Sequence, residues 1–143
     1  AVVTDTLLSP LPTTTTHPSP STARSAITVG AYDPRLSSYA SFSGRGYTRI
    51  LHEIKPDLAA PGVNIPAPRS GGGYASFTGT SFATPFVSGS AALMMEWGIL
   101  RGNDPFLYGE KLKAYLIAGA KTHRIRERIP EQAGGMGTTL FRK

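Results

Sequence analysis

The chain has 143 residues, a length that fits one domain or a piece of a larger one. Apolar residues make up 40% of it, and with 16 glycines and 12 prolines the composition is typical of a globular, loop-rich protein. The absence of cysteine excludes disulfides and thiolate metal sites within the chain. No apolar run approaches the roughly 18 residues that a spanning helix needs, so we predict no membrane partner.

The net charge of +6 first suggests nucleic acid as a partner. The basic residues are scattered, however, and their one cluster, Lys121–Arg128, is interrupted by Glu127. No aromatic side chains alternate with them, as they do in many nucleic-acid-binding modules. We therefore predict a solvated terminal segment and no nucleic-acid partner.

Three parts of the chain differ in composition. Residues 1–22 form a connector rich in Pro and Thr, residues 23–120 carry the core, and residues 121–143 form a basic tail that contains glycine. Short β-rich runs bounded by turn residues predict strands in the core. In chain order, these strands are Ala26–Tyr32, Tyr39–Phe42, Asp57–Ala60 and Tyr74–Thr78.

Two helices follow the strands. Ser81–Trp97 is apolar around most of its circumference, which predicts a helix buried on all sides and ended by Gly98. A second helix is predicted to start with Asp104 as N-cap and Pro105 as first helical residue, and to stop near Gly119. Its apolar residues lie on one side, so it is expected at the surface.

The stretch Gly79–Gly89 reads Gly-Thr-Ser-Phe-Ala-Thr-Pro-Phe-Val-Ser-Gly and places Ser81 where a loop turns into the apolar helix. Amides of a first helical turn and the helix dipole stabilise an anion formed beside such a serine. Gly79 would let a substrate backbone approach closely, and the Thr80 hydroxyl could brace the loop. Pro85 is expected in the first turn, where its missing amide is harmless. An ordinary N-cap is the alternative interpretation of Ser81.

This string closely resembles the serine signature of the subtilase family, Gly-Thr-Ser-x-Ala-Thr/Ser-Pro-x-Val-x-Gly. Ala40–Ser43 and Lys55–Val63 resemble two further blocks of the same family, in the family's order. The resemblance implies an α/β fold, here the C-terminal part of a subtilisin-like fold. A mostly parallel sheet and a buried helix after the nucleophile are expected.

By that resemblance Ser81 is the nucleophile of a serine endopeptidase, supported by Gly79 and Thr80. The family's triad also needs an aspartate in an Asp-x-Gly motif and a histidine in a His-Gly-Thr motif, in the order Asp, His, Ser. The sequence has neither motif, because Asp5 and the three histidines, His17, His52 and His123, lack the required neighbours. We therefore expect a fragment that is inactive alone and that pairs with the upstream remainder of its domain.

The expected substrates are proteins or peptides, and the chemistry needs no cofactor. Many family members bind calcium, although no carboxylate cluster in this sequence identifies a calcium site, and no other metal site is predicted. Three segments together resemble clostridial-type subtilases, including spore germination proteases: Ser43–Tyr47, Glu96–Ile99 and Arg101–Pro105. Some members of that subgroup have lost triad residues, so a non-catalytic pseudoprotease or interaction domain is the alternative. The localisation, whether secreted, spore-associated or cytoplasmic, stays open.

Overall fold

A computed structural model describes residues 2–4, 21–45 and 54–121. Within them a four-stranded sheet is built around β2, Ile27–Asp33. Strands β1, Val2–Thr4, and β4, Leu58–Pro61, pair with β2 in parallel. The two-residue strand β3, Ser38–Tyr39, pairs with the end of β2 in the antiparallel sense. The expected α/β fold with a mostly parallel sheet is confirmed.

Strand β2 forms the centre of the core because its first five residues, Ile27–Ala31, are buried. The prediction of a strand over Tyr39–Phe42 is wrong beyond Tyr39. There the chain turns, with the Ser43 amide donating to the Ala40 carbonyl over 3.0 Å. The turn brings the Ser43 hydroxyl within 2.9 Å of the Ala31 amide, whose hydrogen bond it accepts.

A separate hairpin follows the sheet. Strand β5, Ile65–Pro68, pairs antiparallel with β6, Tyr74–Phe77, around the exposed serine-glycine tip at residues 70–73. The sequence did not predict β5, because two of its four residues are proline, which is depleted in strands. Strand β6 lies where the alternating pattern predicts it.

Helix α1 spans Thr80–Met95 and packs onto the sheet through Ala83 and Val87, while Ala91 packs in a second cluster with Leu107 and Leu112. Within the described residues the helix is buried on one side only, since Phe86 is 48% and Leu93 is 68% exposed. Gly98 does not end the helix. The chain continues through the π-helical segment Glu96–Leu100, and Gly98 is buried there against Leu107.

Helix α2 spans Gly109–Gly119 with Tyr108 at its N-cap, so it starts four residues later than the Asp104-Pro105 signal predicted. Residues 104–108 instead form a turn in which the Leu107 amide donates to the Asp104 carbonyl over 3.1 Å. Burial of Leu107, which is 1% exposed, favours this turn over an earlier helix start. The Asp104 carboxylate pairs with Lys111, 2.6 Å away, and does not cap the helix.

Asp57 connects α2 to the sheet through hydrogen bonds and ion pairs. Its carboxylate accepts from Lys55 over 2.8 Å and from the Thr28 amide over 2.8 Å, and it lies 2.9 Å from the Lys113 ammonium of α2. Both lysines also donate to the Ala26 carbonyl. Burial lowers the pKa of Lys55, and the neighbouring Lys113 adds to this, although the Asp57 carboxylate acts in the opposite direction.

Candidate functional site

Ser81 is the second residue of α1 and its side chain is exposed. The loop that carries it leaves β6 at Phe77 and crosses Thr78 and Gly79 before the helix begins. Two residues after the serine, the fully buried Ala83 packs the helix onto the sheet. Ser81 therefore lies on the outer side of a helix whose first turns are packed on the sheet. The structure thus presents a serine hydroxyl at the surface of a rigid strand-to-helix turn.

The ordinary N-cap interpretation of Ser81 is wrong. The N-cap position belongs to Gly79, and no side chain caps the helix. The expectation for Pro85 is wrong as well, because it lies inside the helix at its sixth position. Proline has no amide hydrogen, so the Ser81 carbonyl four residues earlier receives no helical bond from it. Beside it, the Thr84 hydroxyl donates to the Thr80 carbonyl over 3.0 Å.

The start of α1 carries uncompensated positive potential. No acidic side chain lies in its first turn, so nothing there neutralises the helix dipole. The Phe82 amide already donates to the Gly79 carbonyl over 3.1 Å, whereas the structure shows no partner for the Ser81 amide among the described residues. The electrostatics at this turn favour an anion beside Ser81.

The other two predicted site residues adjoin the serine. Thr80 is fully buried, and a bracing role of its hydroxyl stays a prediction. Gly79 is partly buried, and a Cβ on it would first meet the Phe82 ring at an ordinary 3.7 Å. Steric crowding within the described chain therefore does not require glycine at position 79. The role of Gly79 in close approach of the substrate backbone stays a prediction.

Two features behind and beside the loop were not predicted from the sequence. The Gly79 amide donates to the Gly62 carbonyl over 2.8 Å, and the rings of Phe77 and Phe82 stack 5.0 Å apart at 13°. Gly62 belongs to the Lys55–Val63 block, so two sequence blocks that resemble the same family meet at the nucleophile loop. The sequence showed only that each of the two blocks resembles the family. It did not show that the two blocks are in contact.

The residues that lack the neighbours of the triad motifs, Asp5, His17, His52 and His123, all lie outside the described residues. Over residues 21–45 and 54–121, no group of three His, Cys, Asp or Glu side chains could hold a metal ion. None of the helices in the described part of the chain is long and apolar enough to cross a membrane.

Comparison with known proteins agrees with this geometry. The model of the subtilase family matches residues 9–137. The serine protease AprX of Bacillus subtilis is 38% identical over 128 residues, which covers 76% of this chain and 27% of that protein. The chain therefore spans about a quarter of the length of this curated relative.

Solved structures show the same similarity. The CspB protease of Clostridium perfringens matches with a TM-score of 0.74 and 48% identity, over 82% of this chain and 25% of that one. A cold-adapted subtilisin-like serine proteinase matches with a TM-score of 0.64 and 30% identity, over 80% and 37% of the two chains. The likeness to CspB agrees with the clostridial subgroup that Arg101–Pro105 indicates. The chain belongs to the subtilase family of subtilisin-like serine proteases.

Proposed function

We propose that Ser81 is the nucleophile of a serine endopeptidase. The observation that carries the proposal is the exposed Ser81 hydroxyl on the first turn of α1, where it does not cap the helix. The positive end of the helix lies beside it and would stabilise the oxyanion that forms when a peptide carbonyl is attacked. Membership of the subtilase family supports the same chemistry.

The reaction requires a base that these 143 residues do not supply in a family motif. A serine hydroxyl attacks efficiently only when an imidazole takes its proton, after which the acyl-enzyme forms and water releases it. We place the histidine and aspartate in polypeptide beyond this sequence, and we propose that the isolated chain is inactive. The chemistry uses no cofactor.

The substrate is proposed to be a protein or peptide strand that lies along β6. In the β5–β6 register, Ala67 pairs with Ala75, and the Arg69 amide donates to the Gly73 carbonyl over 3.1 Å. Odd-numbered residues of β6 thus face β5, while the backbone groups of Tyr74 and Ser76 point away from it. An extended peptide could pair with that outer edge and continue towards Ser81.

The opposite edge of the hairpin discourages such pairing. By the same register, Pro66 and Pro68 are the β5 residues that point away from β6, and proline has no amide to donate. The two edges of one hairpin therefore differ in their capacity to add a strand. This difference supports the β6 edge, which leads directly into the nucleophile loop.

The upstream remainder of the domain is the proposed partner of the open face of α1. Phe86, Gly89 and Leu93 follow one another at helical spacing on that face, and all three are exposed. A Cβ on Gly89 would meet nothing within 4 Å. A glycine between two large apolar residues allows close approach of another backbone, as packing against further elements of the same domain requires.

The proposal is tested in the complete protein, by which we mean the full gene product that contains these 143 residues. Replacing Ser81 with Ala is expected to lower peptide hydrolysis at least about a thousandfold, because the attacking atom is removed. Ser88→Ala, at an exposed serine on the same helix, serves as the control and should leave the rate unchanged. Hydrolysis that persists in Ser81→Ala excludes this nucleophile, and a wild type without activity favours the non-catalytic alternative.

A further inference from the structure

We propose that the turn Gly62–Asn64, which joins β4 to β5, is the positioning element of the nucleophile. We call it the 62–64 turn. The inference rests on the proposed function of Ser81, and it concerns how the serine is held and not which residues react. It assigns a role to two residues, Gly62 and Asn64, that lie far from Ser81 in sequence.

Two hydrogen bonds join the 62–64 turn to the loop before Ser81. The Gly79 amide donates to the Gly62 carbonyl over 2.8 Å, and the Asn64 amide donates to the Thr78 hydroxyl over 3.0 Å. The turn therefore contacts two consecutive residues, Thr78 and Gly79, immediately before the helix begins. Together the two bonds restrict the path by which the chain reaches Ser81.

The turn is itself fixed to the core of the sheet. The Gly62 amide donates to the Tyr32 carbonyl over 3.0 Å, at the end of β2. A Cβ at Gly62 would lie 2.5 Å from the Cβ of Ala31, 3.1 Å from the Gly79 carbonyl oxygen and 3.4 Å from the Cβ of Ala83. Glycine is thus needed where β2, the nucleophile loop and the first turns of α1 meet.

Asn64 adopts a backbone conformation that allows its amide to donate to the Thr78 hydroxyl. Its φ is 55°, in the left-handed region that asparagine tolerates better than other residues with a Cβ. The residue is exposed, so core packing does not impose this conformation. The left-handed turn directs the Asn64 amide to Thr78, which couples a backbone conformation to the position of the nucleophile loop.

Such coupling matters because the Ser81 side chain has no anchor of its own. The structure shows no hydrogen bond from its hydroxyl to any described residue, so the oxygen is positioned by the backbone of residues 78–81 and by rotation about the Cα–Cβ bond. A displacement of about 1 Å in a reacting group lowers rates by about a hundredfold. A turn that holds this backbone therefore controls reactivity without contacting substrate.

The first test compares Asn64→Val with Asn64→Gly in the complete protein. Valine disfavours the left-handed conformation, while glycine adopts it freely. Ser37→Val is the matched control, because Ser37 is also exposed, has a φ of 49° and lies in the β2–β3 turn away from the loop. Both valine variants should lower the melting temperature to a similar extent.

The rate constant for phosphonylation of the Ser81 hydroxyl by a fluorophosphonate, which releases fluoride, separates the variants. Asn64→Val should lower it about tenfold or more with little change in the reagent's binding constant, while Asn64→Gly and Ser37→Val stay within about twofold of wild type. If Asn64→Val and Ser37→Val lower this rate constant equally, the 62–64 turn contributes only to overall stability, and the proposal is overturned.

A second measurement does not depend on catalysis. Amide hydrogen exchange of Gly79 in the 143-residue chain, taken relative to the buried Ala31 amide, should be about tenfold faster in Asn64→Val and in Thr78→Val. Unchanged relative exchange in both variants contradicts the proposal. If the wild-type complete protein does not react with the fluorophosphonate, the proposed function fails, while this exchange comparison still decides whether the turn holds the loop.

Discussion

The two long faces of α1 differ sharply in solvent exposure. The buried face carries Ala83 and Val87, which pack on the sheet, and Ala91, which packs with Leu107 and Leu112; all three are at most 8% exposed. The opposite face carries Phe86 and Leu93, which keep about half or more of their surface exposed. The described residues thus cover one side of α1, whereas a helix that is apolar all round is usually buried all round.

A matched pair of substitutions, one on each face, tests this difference and has the largest expected effect on the free energy of unfolding. Val87→Asp places a charge in the core against the sheet and should leave the 143-residue chain largely unfolded. Leu93→Asp should change the free energy of unfolding by no more than about 0.5 kcal/mol, because its side chain is already in water. Urea unfolding followed by circular dichroism measures both. Equal destabilisation would mean that the open face is covered in the chain itself.

Ion pairs in the described chain show the same difference between buried and exposed positions. Asp57→Asn leaves Lys55 and Lys113 without their carboxylate in a site where Lys55 is 2% exposed, so we expect a loss of about 3–5 kcal/mol. Glu96→Gln removes the partner of Arg101 on the solvent side and should lower stability by less than about 1 kcal/mol. Chemical denaturation at pH 7 compares the two. A small effect of Asp57→Asn would show that α2 is held to the sheet by apolar packing alone.

A glycine of α1 and a glycine of the π-helical segment that follows it give the comparison with the smallest expected effects. A Cβ at Gly98 would lie 2.8 Å from a Leu107 side-chain carbon, so Gly98→Ala should destabilise the chain by about 1–3 kcal/mol. Gly89→Ala meets no neighbour and should stabilise the helix by about 0.5–1 kcal/mol. Thermal melts of the two variants test this in the isolated chain.

The Gly89 result also sharpens the proposal that an upstream part of the domain covers this face. In the complete protein the added methyl group would meet the covering element, and the sign of the effect should reverse. Stabilisation of equal size in both contexts would leave the open face without a packing partner.

The sequence predicted the elements whose pattern is long or strongly apolar. The predicted strand Ala26–Tyr32 differs from β2 by one residue at each end, and the predicted start of α1 differs by one residue. Failures occurred where tertiary contacts override local signals. Asp104-Pro105 is a typical helix start, yet burial of Leu107 delays α2 to Gly109.

At the candidate site the sequence located Ser81, Gly79 and Thr80 because the motif is local. It could not reveal that the Gly62 carbonyl accepts from the Gly79 amide, because that hydrogen bond joins residues 17 positions apart. The contact between Lys113 and Asp57 is equally remote in sequence. Such contacts depend on which strands become neighbours, and hydrophobic periodicity carries no information on that pairing.

The most direct test of the central claim is fluorophosphonate labelling of Ser81, followed by mass spectrometry of the modified peptide, in the isolated chain and in the complete protein. The account predicts that the 143-residue chain labels no more than its Ser81→Ala variant, because no base activates the hydroxyl. The complete protein should label at Ser81 to near one equivalent, on the order of one probe per chain. Strong labelling of Ser81 in the isolated chain would contradict the account.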